Sequence, residues 1–138
     1  TASRSGERGF EELPTDVAAR QLGITKKGQY TVEAERRGLV HKGDYQDTAR
    51  RAFRYYGLSP SEKDVRTVAS ELEKVFKKGL AAWQTGGHRP GASQQAWAFA
   101  RVHSVLVGGK AAYTADRKNV AQFPAALREA IHAQRMFR

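Results

Sequence analysis

Cysteine is absent from the 138 residues, so neither a disulfide framework nor a thiolate metal site is available. Long apolar runs are absent too. None approaches the ~20 residues of a membrane-spanning helix, and no charged-then-apolar leader opens the chain, so a soluble protein is expected. Strand signals are scarce: Leu39-Val40 is too short, and Ala111 to Thr114 supports at most a small edge pair. Acidic residues are few against basic ones. Fourteen Asp and Glu face 24 Lys and Arg, for a net charge of +10. That excess is more than solubility requires and implies a polyanionic partner, with a solvated basic surface as the plain alternative. The chain opens on Thr1 rather than Met, as expected of a processed or excised N-terminus.

What is present is organised around residues 86–109. Gly86-Gly87-His88-Arg89-Pro90-Gly91 has the punctuation of a tight loop, and Ser93 is placed to cap the helix that follows. From Trp97 to Val107 only Arg101, His103 and Ser104 are strongly polar, the pattern of a buried helix, and Gly108-Gly109 stops it. The fold class expected is all-α: a compact multi-helix domain with a central buried helix near 93–107 and a helical hairpin near 44–83.

Residues 1–12 carry too little apolar content to fold alone and read as an arm, leaving 13–138 as a single helical domain. Short helical patterns at Asp16–Leu22 and Val32–Arg37 are stopped by Gly23 and Gly38. Asp44 caps a helix through Tyr56 with Ala49, Ala52, Phe53 and Tyr56 as its apolar stripe. Ser59-Pro60-Ser61-Glu62 then reads as a capping box with proline at the first helical position. Val65, Val68, Ala69, Leu72, Val75 and Phe76 follow at i, i+3, i+4, i+7 spacing, and Gly79 either stops or loosens that helix. Thr114 is expected to cap a brief helical run with Asp116 in its first turn. Pro124 opens a last helix, 125 to about 135, with Leu127 and Ile131 inward.

No complete catalytic motif is present. Metal binding wants paired ligands at helical spacing, and none of His41, His88, His103 or His132 has such a partner in sequence, so no metal site and no cofactor is expected. His88 and His103 could meet if the loop folds back, which would centre a small His-dependent nuclease or toxin there, but no carboxylate array for magnesium accompanies them. Residues 15–40 have the rhythm of a DNA-binding helix-turn-helix with Arg36 and Arg37 on the second helix. Against that, the Thr25–Thr31 link is long, and Glu33 and Glu35 would face phosphates. His88-Arg89 beside a helix N-terminus suits an anion. Trp83 and Trp97 read as packing anchors, while Tyr55 and Tyr56 beside Arg54 offer a base-stacking surface.

The segment Gly87 to Gly91, the helix Gln94 to Ser104 with its Ala100-Arg101-Val102 core, and Thr114-Ala115-Asp116 resemble an uncharacterised domain family. Its members are found in proteins of tailed phages and large DNA viruses. The resemblance covers roughly residues 50–120 and carries no established activity. It implies a virion or host-cytoplasm setting and a part associated with the particle or with DNA packaging, where a Met-less N-terminus fits maturation by a prohead protease. The expected function is therefore a non-enzymatic basic module. Its expected partner is nucleic acid, bound without sequence preference, or an acidic virion protein; no membrane partner is expected, and assembly into an oligomer is compatible. The expected contacts are His88, Arg89, Arg50, Arg51, Arg54, Arg128, Arg135 and Arg138.

Overall fold

The computed structural model describes residues 28–85 and 93–136. The expected arm at 1–12, the helix at 16–22, the loop carrying His88 and Arg89, and Arg138 lie outside the described residues. Among those described, every element is a helix and there is no strand. In chain order they are α1 Gln29–Arg37, α2 Tyr45–Tyr55, α3 Glu62–Gln84, α4 Gln94–Leu106, α5 Lys110–Tyr113, α6 Arg117–Val120 and α7 Ala125–Ala133. None of these helices is long and apolar enough to cross a membrane.

Helix starts follow side-chain chemistry. The Asp44 carboxylate accepts the Asp47 N–H and opens α2, and the Ser93 hydroxyl accepts the Ala96 N–H and opens α4. For α3 the box forms two residues later than the sequence suggests: Ser61 caps, Asp64 answers it, and Pro60 stands before the cap. Ser59 loses the role because the Ser61–Asp64 pair satisfies both orphan N–H groups reciprocally. Gly38 and Gly57 close α1 and the 56–57 turn in the left-handed region, where only glycine is unstrained.

Helix α4 lies at the centre, packed on α3, α1 and α5, while α2 and α3 form the expected hairpin. Val65, Val68, Leu72 and Val75 of α3 and Val102, Val105 and Leu106 of α4 are at most 2% exposed. Complete burial of such a side chain stabilises by about 1.5–3 kcal/mol, so this interface accounts for much of the fold's stability. Gly79 does not stop α3. It is the point where α3 crosses α4, since a Cβ there would lie 2.9 Å from the Cα of Ala98. The Ala111–Thr114 stretch is helical rather than an edge pair, because Gly109 N–H bonds back to Ser104 and α5 starts at once. Leu127 and Ile131 of α7 are buried as expected, and Met136 N–H donates to the Val107 carbonyl, tying the chain end to α4.

Candidate functional site

Two buried polar clusters stitch the helices together, and a surface groove opens beside one of them. In the first cluster, His103 of α4 is 2% exposed and both ring nitrogens are engaged. Its Nε2 accepts the backbone N–H of His41 at 2.9 Å, so the ring proton is on Nδ1 and is donated to Thr31 Oγ1 at 2.9 Å. Thr48 gives its one hydroxyl proton to the Asp44 carbonyl and therefore accepts from His41 Nδ1 at 2.8 Å. His41 Nε2 is left as a bare, buried acceptor, with the rings of Tyr45, Phe99 and Phe76 around His41. Burial, with the positive charge of Arg51 next for His41 and the neighbouring imidazole next for His103, pushes both pKa values down to about 4. Both rings are neutral and structural. His103 therefore has no free nitrogen to offer a phosphodiester, and its meeting partner is His41, 62 positions away in sequence.

The second cluster is built on Asp116, which is fully buried. Arg101 grips it through two bonds, Nε to Oδ2 at 2.8 Å and a terminal nitrogen to Oδ1 at 3.0 Å, and Lys78 Nζ reaches Oδ1 at 2.7 Å. Lys78 also donates to Asn119, whose amide donates to Glu71 of α3. The Ala-Arg-Val helix and the Thr-x-Asp turn quoted above thus meet as one bidentate ion pair. Thr114 does not cap the following helix, because its hydroxyl donates back to the Lys110 carbonyl; Asp116 takes the cap position, with its carboxylate turned to Arg101. Among the described residues no group of three His, Asp or Glu side chains could hold a metal ion.

The arginines expected to face a partner divide sharply. Arg51 donates to the Gly38 and Val40 carbonyls at 2.7 Å each and pairs with Asp47, so it fastens the segment after α1. Arg128 donates to the Ala121 and Phe123 carbonyls, and Arg135 to the His132 carbonyl. These three hold helix ends. Arg37 is buried among Glu33, Tyr56 Oη and the Gln134 carbonyl, so it does not lie on the exposed face a helix-turn-helix would require. Arg36 remains exposed beside Glu33, whose carboxyl its hydrogen bond chiefly holds down to about 2. The Tyr55–Tyr56 stacking surface does not exist either. Tyr56 is buried with its hydroxyl on the Leu106 carbonyl, and the Arg37 guanidinium covers the Tyr55 ring at 5.5 Å.

Three cations, Lys42, Arg50 and Arg66, line one groove. The groove, of about 960 Å³, opens between the turn at 42–46, α2 and α3, lined among others by Lys42, Asp44, Tyr45, Arg50, Arg66 and Glu73. Arg50 reaches Glu62 at 3.3 Å, an exposed pair that contributes little. Lys42 and Arg66 are exposed and make no ion pair among the described residues, as does Arg54 one turn along α2 from Arg50. A second, more apolar cavity of about 340 Å³ lies among α5, α6 and α7, with Arg117 and His132 in its lining. Lys42 and Arg66 escaped the sequence reading because nothing local separates an unpaired cation from one engaged across the fold. The i, i+4 spacing of Glu33–Arg37 and Asp47–Arg51 marks pairs that form, but Glu62 and Arg66 share that spacing and Glu62 pairs with Arg50 instead.

No curated protein and no solved structure matches this chain. Residues 14–122, which include both buried clusters and the whole groove lining, match a family of unknown function, DUF5824. The chain belongs to that family.

Proposed function

We propose that the chain is a non-enzymatic basic module that binds a polyanion, nucleic acid foremost, along the α2–α3 groove. The observation that carries this reading is the convergence of Lys42, Arg50 and Arg66 on one groove in a chain of net charge +10. Arg54 extends the same positive face. His88, Arg89 and Arg138 stay in the contact set as sequence expectations, whereas Arg51, Arg128 and Arg135 leave it because their guanidinium groups already hold backbone carbonyls. The burial of His41 and His103 favours binding over hydrolysis, since neither imidazole reaches the surface. The resemblance to phage and large-virus domains makes a virus-type particle, with its packaged nucleic acid, the natural setting.

Contacts to phosphates release condensed counterions, so affinity falls linearly with salt on logarithmic axes, while an apolar protein interface is far less sensitive. The test is binding of fluorescein-labelled DNA and RNA to the purified chain at low and then moderate salt, with strand integrity read in the same tubes. Binding that weakens steeply with salt and leaves the strands intact is expected. Absence of binding at low salt, or cleavage, would overturn the reading.

A further inference from the structure

We infer that the groove takes single-stranded nucleic acid, with the Tyr45 ring as the platform on which a base stacks. This rests on the polyanion reading and narrows it to one class of ligand.

Three observations carry it. First, the groove is a concavity bounded by the 42–46 turn, α2 and α3, whereas a duplex is read by a helix or ribbon inserted into its own groove. Single strands are held instead by charged grooves that track the backbone and aromatic rings that stack bases. Second, the groove is chemically mixed. Lys42, Arg50 and Arg66 suit phosphates, but Asp44 and Glu73 lie among them. Carboxylates repel a phosphate track, yet they accept from the exocyclic amines of bases, which only an unpaired strand presents in full.

Third, Tyr45 is half-buried in the groove lining and its ring is held still. The His41 ring lies 4.5 Å away at a 31° tilt, and Phe76 meets it edge-on at 6.3 Å. His41 is itself fixed by Thr48 and by the His103 bond to its backbone. A preorganised ring costs little entropy when a base lands on it. Tyr55 and Tyr56 are outside the groove lining, and Tyr56 is engaged internally through its hydroxyl on the Leu106 carbonyl.

The test compares a labelled single strand of mixed sequence with the duplex of the same sequence and length, at one salt concentration. The intact chain is expected to bind the single strand at least about tenfold more tightly, one stacked base being enough for that ratio. Tyr45→Phe keeps the preference. Tyr45→Leu, which keeps apolar bulk against His41, loses about tenfold for the single strand and leaves duplex binding unchanged. Should Tyr45→Leu not fold, photo-crosslinking of a bromouracil-substituted strand to the unaltered protein decides the matter: the adduct maps to Tyr45. Equal affinity for both nucleic acids, or an adduct confined to other residues, overturns this inference while the polyanion reading stands. If neither nucleic acid binds, both fall.

Discussion

Nε2 of His103 accepts the backbone N–H of His41, and through that one bond α4 holds the segment that carries Lys42 to the groove. Arg51 grips the same segment from the other side through the Gly38 and Val40 carbonyls, and Thr48 holds the His41 ring. The groove wall is therefore anchored by His103, Arg51 and Thr48, none of which is among the lining residues. Protonating His103 would place a second N–H opposite the His41 N–H, and protonating His41 would put a charge among aromatic rings.

A pH dependence of stability follows. In the unfolded chain both imidazoles titrate near 6.5, and in the folded chain near 4. Between those values the unfolded state binds more protons, so stability is complete above about pH 6.5 and declines as pH falls towards 4, by on the order of a few kcal/mol for the coupled pair. Asp44 and Glu35, which pull the two values upward, soften the decline without reversing it. Urea midpoints across this window should fall steadily for the intact chain, and His103→Gln should flatten the curve. A flat profile for the intact chain would contradict the buried neutral pair.

Asp116→Ala should be among the most damaging single changes. It strands the Arg101 guanidinium, which is only 15% exposed, and removes the charged partner of Lys78, leaving that ammonium on Asn119 and the Ala115 carbonyl. Breaking a buried pair by removing one partner costs about 3–5 kcal/mol. Thermal unfolding should show a large loss for Asp116→Ala and a comparable one for Arg101→Lys, which keeps the charge but not the two-pronged grip.

Gly79→Ala separates two opposing rules. In an isolated helix, alanine for glycine stabilises by about 1 kcal/mol. At this crossing the new methyl would press on the Ala98 backbone, and overpacking of that kind costs about 1–3 kcal/mol. Net destabilisation is expected from denaturant titration. Stabilisation would mean that α3 and α4 are not in contact there.

Local chemistry was legible in the residues and long-range chemistry was not. The apolar stripe of Val65, Val68, Leu72 and Val75 locates the α3 core face, and Asp44 and Ser93 locate two helix starts, because each acts within one turn of itself. The cap of α3 slipped from Ser59 to Ser61 because two serines flank Pro60 and only the pairing with Asp64 decides between them. His41 with His103 and Arg101 with Asp116 are juxtaposed by the packing of helices distant in sequence, for which composition holds no signal. Arginine is the hardest residue to read in this chain. Arg37, Arg51 and Arg128 serve helix ends while Arg54 and Arg66 serve the surface, and the difference is only where a carbonyl or carboxylate arrives in space.

The central claim is that Lys42, Arg50 and Arg66 form the anion-binding face. It is tested most directly by reversing all three to glutamate and measuring nucleic-acid affinity across a salt series. A control reverses Lys110, Arg117 and Lys118, which are exposed, lie outside the groove lining and change the net charge equally. The groove variant should lose most of its affinity, and its logarithmic salt slope should shrink by about two to three, at roughly 0.7–0.9 per lost phosphate contact. The control should keep both the affinity and the slope to within a small offset. Equal losses in the two variants would show that net charge alone drives binding, and the groove would have no special part in it.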